Sequence, residues 1–248
     1  MNSSPPAGAA LDGNFPVRIY RMRQDILIFD LDGTLVDSQR DLANGINYVR
    51  GMHGLDPLPL ESITGIVGPG VRATLSRALS DAGKIDLDEV VKHYRGFYRL
   101  HMHDETRLFP GVRPGLERLN ASGYSLALFS NKLQHYCVEI LRHFGIDGLF
   151  SRVVGDGDGV PLKPDPGALL EIISSLGGER RRAWMIGDNH TDLEAARRAG
   201  IRSVFVTYGY GETGGVTPDF TASSFEEVAG LFISGSDVCA ESGRRRSE

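Results

Sequence analysis

Asp30 and Asp32 close the apolar run "DILIFD" (25 to 30) with only Leu31 between them, an unusual way to end a buried strand. Comparable polar residues end the later runs. Ser130 and Asn131 follow "YSLALF", Lys163 stands just beyond "RVVG" (152 to 155), and Asp188 with Asp192 ends and follows "AWMIGD" (183 to 188). If these runs are parallel strands of an open sheet, their carboxyl ends share one rim, the edge at which such sheets bind ligands. Carboxylates gathered there repel one another unless a hard cation sits among them, and Mg2+ prefers carboxylate, carbonyl and water oxygens. Ser130 and Lys163 can give a hydrogen bond and a charge to phosphoryl oxygens, and the backbone around Gly33 and Thr34 can offer N–H groups to the rest. A carboxylate held against phosphorus can attack it to form an aspartyl-phosphate. The chemistry implied is phosphoryl transfer.

Those side chains need a scaffold, and the spacing of apolar residues supplies one. The runs at 25 to 30, 124 to 130, 152 to 155, 183 to 188 and 202 to 207 lack polar alternation, as strands buried on both faces do. Between the later runs lie helical patterns that stop at Gly123, Gly145 and Gly200, and one with Pro166 in its first turn. Strand and helix alternate as in βαβ units, which predicts an α/β fold with a Rossmann-like, doubly wound parallel sheet. From Asp41 to His103 the alternation fails and only helical patterns occur. We therefore expect an α/β core over 25–40 and 104–233 and an inserted small α-helical cap domain over 41–103. The segments 1–24 and 234–248 read as a mobile N-terminal extension and a polar C-terminal tail.

Composition narrows the partners. The chain has 248 residues, with 27 Lys plus Arg against 32 Asp plus Glu and a net charge of −5, and no long basic run lies inside the folded part. That argues against nucleic acid. Cys137 and Cys239 form neither a disulfide framework nor a zinc spacing. No continuous apolar stretch suggests a signal peptide or a membrane span. A cytoplasmic protein that takes a small phosphorylated metabolite, as a monomer or homodimer away from membranes, is the expectation.

The motifs themselves carry a resemblance. "DLDGT" (30 to 34), Ser130 after its apolar run, "KPDP" (163 to 166) and "GDNHTD" (187 to 192) resemble, in order, the four motifs of haloacid dehalogenase-like hydrolases, over roughly residues 25 to 210. The resemblance implies Asp30 as nucleophile and Asp32 as general acid/base. It implies Mg2+ held by the Asp30 carboxylate, the Asp32 backbone carbonyl and the Asp188 carboxylate, with Asp192 in support. Ser130 and Lys163 would bind the phosphoryl group, and Asn131 would contact substrate. Asp32 further separates phosphate esters from halides, because an alkoxide leaving group needs a proton and a halide does not.

Longer stretches, "LFPGVRPGLERLNASGYSLALFSNK" among them, run much like bacterial phosphoglycolate phosphatases, with one departure at Leu133, where those enzymes commonly have Pro. This makes 2-phosphoglycolate the expected substrate. Sugar-phosphate phosphatases, pyrophosphatases and phosphomutases of the same fold are the alternatives, and a non-catalytic protein would be expected to have lost Asp30, Asp32 or Lys163. Within the insertion, "GIVGPGVRATL" (65 to 75) resembles a specificity loop, with Gly70 admitting close backbone approach and Arg72 offering a fork to an anion. His93, His101 and His103 share no helical face well and read as solvated. "GDGDG" (155 to 159) and "GYGETGG" (209 to 215) read as loops.

Overall fold

In the computed structural model the described residues are 25–157, 159 and 161–233. The expected terminal extension and tail, 1–24 and 234–248, lie outside them, as do Asp158 and Val160.

The chain enters through β1 (Ile26–Phe29), makes a tight turn, and forms the two-residue β2 (Val36–Asp37). Four helices follow: α1 (Gln39–Met52), α2 (Leu60–Thr64), α3 (Val71–Ala78) and α4 (Leu87–His101). The chain returns in β3 (Arg107–Leu108), antiparallel to β2, so the helical insertion stands on a two-stranded stem. Next come α5 (Val112–Ala121), β4 (Ser125–Leu133), α6 (Gln134–His143), β5 (Phe150–Asp156), α7 (Gly167–Ser175) and β6 (Ala183–Gly187). The chain then continues through α8 (His190–Ala199), β7 (Arg202–Val206), β8 (Phe220–Ala222) and α9 (Phe225–Ile233).

Among the described residues, six strands form a parallel sheet in the order β5-β4-β1-β6-β7-β8. The chain builds outward from β1 to β5 on one side, then crosses back to β6 on the other. That reversal leaves a crevice beyond the carboxyl end of β1. Alternation along β1 serves both faces. Leu27 and Phe29 pack in a core that includes Leu116 of α5 and Phe225 of α9, whereas Ile26 and Ile28 pack with Leu169 of α7 and Ala196 of α8.

The insertion has its own apolar interior, with Ile46, Val49, Ile63, Leu75, Val90 and Tyr94 all buried. Buried Arg50 is paired: its guanidinium grips Asp81 through two 2.8 Å hydrogen bonds. At the stem, buried Asp41 accepts the backbone N–H groups of Glu105 and Thr106 and the Thr106 hydroxyl, so it fixes where the returning strand begins. The Asp86 side chain caps α4 by accepting from the backbone N–H groups of Asp88 and Glu89.

Candidate active site

Asp30 follows β1 directly and is 8 % exposed. Its backbone N–H donates to the Ile186 carbonyl, which extends the pairing with β6 and fixes the side chain at the crevice. The turn that follows depends on Gly33, whose φ of +84° favours glycine and where an added Cβ would overlap the Asp188 carboxylate. The structure corrects one expectation here. The N–H of Gly33 donates to the Val36 carbonyl at 2.9 Å and that of Thr34 to the Leu31 carbonyl at 3.3 Å, so neither is free to cradle a phosphoryl group. The Thr34 hydroxyl instead donates to Asp188 Oδ1 at 3.3 Å.

Lys163 crosses to the same point. Its Nζ lies 2.8 Å from Asp30 Oδ1, donates to Asp192 Oδ1 at 2.6 Å and to the Phe129 carbonyl at 3.0 Å. Asp192 is fully buried, and its other oxygen accepts the Asn189 N–H in the capping box that opens α8. Its position is thus set by the helix start, and it in turn aims Lys163. Asp188 Oδ2 accepts the N–H groups of Tyr210 and Gly211 at 3.0 and 2.8 Å.

Carboxylate oxygens of Asp30, Asp188 and Asp192 lie within 4.8 Å of one another. Burial foremost pushes Asp30 up to about 6, against the pull of Lys163. Burial, then the Asp30 and Asp192 charges, pushes Asp188 up to about 8. Lys163 is shifted up because those same carboxylates outweigh the effect of its own burial. Three buried acids against one lysine leave a deficit of positive charge, and an all-oxygen donor set suits a hard divalent ion. The cluster can bind a metal.

A consequence can be measured. Carboxylates with raised folded-state values bind protons more tightly in the native than in the unfolded protein, so their contribution to stability is present below about pH 4 and is lost as pH rises through about 6 for Asp30 and about 8 for Asp188. A divalent cation replaces those protons. In thermal unfolding, Mg2+ is expected to raise the melting temperature more at about pH 8 than at about pH 5.5. An equal effect at both values would count against cation binding at this cluster.

Asp32 points elsewhere. Both its oxygens lie 2.8 Å from Lys132 Nζ, and Oδ1 accepts the Ser38 hydroxyl at 2.5 Å. Lys132 is 4.9 Å from the centre of the Tyr98 ring on α4, so a buried charge links the core to the insertion. Ser130 is buried and lines the same pocket as Asp30 and Asp32, a cavity of about 90 Å3 between the rim and the insertion.

Three further expectations change. Asn131 lines the pocket, yet its Oδ1 accepts the Lys163 N–H and its Nδ2 donates to the carbonyls of Lys163 and Gly68. With both ends of its amide engaged by backbone, it fastens the Lys163 loop to the insertion instead of offering a free hydrogen bond to substrate. Arg72 is exposed and pairs with Asp88 outside the pocket, because α3 turns it away from the face that carries Thr74 and Leu75. Gly70 does line the pocket, with φ of +97°. The segment 209 to 215 is more than a loop: Gly209 and Gly211 admit no Cβ against Asp188, and Tyr210 donates to it and reaches Ser38. "GDGDG" begins inside β5 with Gly155 and Asp156, and its Asp158 lies outside the described residues.

His93 faces Glu89, His101 bonds Asp104, and His103 stacks on His143, so the three do not converge. Lys132 and the 209–211 segment are site residues that the rim rule should have found. Lys132 follows Asn131 on β4, and Tyr208 to Gly211 follow the β7 run just as Asp188 follows β6.

A parallel sheet with a buried carboxylate at its switch point, a lysine against it and an acidic cluster that can bind a metal suits phosphoryl-transfer chemistry. The chain belongs to the haloacid dehalogenase-like hydrolase family, whose model matches residues 27–206. Within it the chain is a phosphoric monoester hydrolase similar to phosphoglycolate phosphatases. The enzyme of that name from Chromobacterium violaceum is 38% identical over 213 residues, spanning 84% of this chain and 96% of its relative. That from Aquifex aeolicus is 34% identical, spanning 83% and 95%. The crystal structure of a predicted phosphoglycolate phosphatase from Haemophilus somnus matches with a TM-score of 0.77 at 29% identity, covering 84% of this chain and 97% of the other. No helix among the described residues is long and apolar enough to cross a membrane.

Proposed function

We propose that this enzyme is a Mg2+-dependent phosphatase that hydrolyses 2-phosphoglycolate through an aspartyl-phosphate on Asp30. The observation that carries this reading is the separation of the two acids: Asp30 sits in the buried acidic cluster against Lys163, while Asp32 sits apart with Lys132. Two carboxylates one residue apart therefore have different partners and can take different roles.

An Asp30 oxygen attacks phosphorus, the ester P–O bond breaks, and its electron pair leaves on the alkoxide, which takes a proton from the Asp32 carboxylic acid. Asp32, now a carboxylate, accepts a proton from water as the water oxygen attacks the same phosphorus, and Asp30 and free phosphate are released. Lys163 steadies Asp30 and a phosphoryl oxygen, and Ser130 gives that group a hydrogen bond. The Asp30 and Asp188 carboxylates and the Asp32 backbone carbonyl would hold Mg2+, supported by Asp192, and the ion supplies neutralisation of charge on the phosphoryl oxygens.

In this reading residues 25–40 and 104–233 are the catalytic core and 41–103 the cap over the reacting atoms, a division supported by the stem of β2 and β3. The relatives' names support the substrate. At Leu133, where phosphoglycolate phosphatases were expected to have Pro, φ is −52°, a value a proline ring also allows. Phosphate release with Mg2+ should be measured across 2-phosphoglycolate, sugar phosphates, nucleotides and pyrophosphate. We expect kcat/KM for 2-phosphoglycolate to exceed the others by about 100-fold or more. A flat panel, or preference for pyrophosphate or a hexose phosphate, would sink the substrate assignment.

A further inference from the structure

Arg95 and Tyr98 lie three residues apart on α4, a spacing that places them on one helix face. Both line the pocket that Asp32 and Lys132 also line. Of the cationic side chains there, Lys132 is paired with Asp32, and Lys163 with Asp30 and Asp192. Arg95 has no carboxylate partner among the described residues, and its Nε is buried without a hydrogen bond.

Tyr98 is 1 % exposed, and its hydroxyl is also buried without a partner. Burial, with the Asp32 and Asp41 charges adding to it, keeps that phenol protonated and hence a donor. Two buried donors left unmet on residues that line one cavity are costly unless a ligand brings acceptors. The Tyr136 hydroxyl donates to the Arg95 carbonyl at 3.0 Å, which ties this stretch of α4 to the core helix α6.

We infer that Arg95, assisted by Tyr98, recognises the carboxylate of the substrate, so that selection is made by helix α4 and not by the loop that carries Arg72. This rests on the carboxylated substrate proposed above and names the residues that read it. A guanidinium offers parallel N–H groups that match a carboxylate, and a phenol can add a third donor. Lys132 contacts both Asp32 and the Tyr98 ring.

The test compares 2-phosphoglycolate with 2-hydroxyethyl phosphate, which has the same length and a neutral tail. With the full chain and Mg2+, Arg95→Gln is expected to lower kcat/KM for the acid by about 10- to 100-fold, and for the neutral ester by less than about threefold. Arg95→Lys should recover part of the selectivity. Tyr98→Phe, which keeps the ring beneath Lys132, should cost the acid about three- to tenfold and the neutral ester less than about twofold.

Equal losses on both esters, or a wild-type ratio retained in Arg95→Gln, would overturn the inference. A selective loss in Arg72→Ala instead would also overturn it, by returning selection to α3. If the wild-type enzyme shows no preference for the acid, the substrate assignment fails and this inference with it. A wild-type preference that survives Arg95→Gln defeats this inference alone. Should Arg95→Gln fail to fold, as read by thermal unfolding, Arg95→Lys and Tyr98→Phe carry the same comparison.

Discussion

Asp30→Asn is expected to lose on the order of 10^4- to 10^6-fold in turnover while losing no stability. The first half follows from the proposed covalent step: an amide cannot accept phosphorus as a carboxylate does, and removal of a nucleophile from a concerted set costs about that much. The second half follows from burial. Asp30 is one of three acids drawn together around Lys163, and its raised value records the cost of ionising it there. Asparagine removes that charge and leaves Lys163 bonded to Asp192 and the Phe129 carbonyl.

Inactivity with equal or higher thermal stability, above all near pH 8, separates loss of chemistry from loss of fold. Acid-quenched enzyme should carry a phosphoryl group on the peptide that contains Asp30, and the variant should carry none by mass spectrometry. Near-wild-type turnover, once deamidation back to aspartate has been ruled out, would falsify the covalent scheme.

Lys163→Met should act on both quantities. The lysine is 4 % exposed and meets Asp30, Asp192 and a carbonyl, so methionine keeps the volume but strands the carboxylates. Breaking a buried charge set by removing one partner costs about 3–5 kcal/mol. Because the stranded groups are acids, the cost is largest where they must ionise. Chemical denaturation without divalent ions should therefore show the full deficit near pH 8 and a smaller one near pH 6, where Asp188 is protonated in the native state. Turnover should fall at least about 10^3-fold, since both the phosphoryl group and Asp30 lose their cation. A variant as stable as wild type at pH 8 would show that the acids do not depend on Lys163.

The rim of the sheet was legible because its signal is local. Asp30, Ser130, Lys163 and Asp188 each end or follow an apolar run, and the rule that parallel sheets bind at their carboxyl ends assembles them without knowledge of the fold. Very short strands leave no such trace. The two-residue β2 and β3 and the three-residue β8 are too brief to show a period, and they exist because the turn after Asp30 and the end of β7 bring partners alongside.

The insertion was legible as helical but not in its orientation. Spacing cannot say which arginine faces the pocket, because Arg72 and Arg95 both occupy helices, and only the packing of α4 on α1 and the core turns Arg95 inward. Asn131 illustrates a third limit. Its residue type suits substrate contact, yet the backbone of Lys163 and Gly68 lies close enough to engage the whole amide.

The placement of β1 sets how firmly the reacting group is held. Ile26 to Phe29 are paired on both sides, by β4 and β6, and are buried on both faces, so no local fraying can loosen them. Amides in such a strand exchange with solvent only through the rarest, global opening of a fold. The anchorage of Asp30 is therefore as durable as the folded state itself, and a destabilising substitution elsewhere in the core would reduce the fraction of competent molecules without blurring the geometry in those that remain.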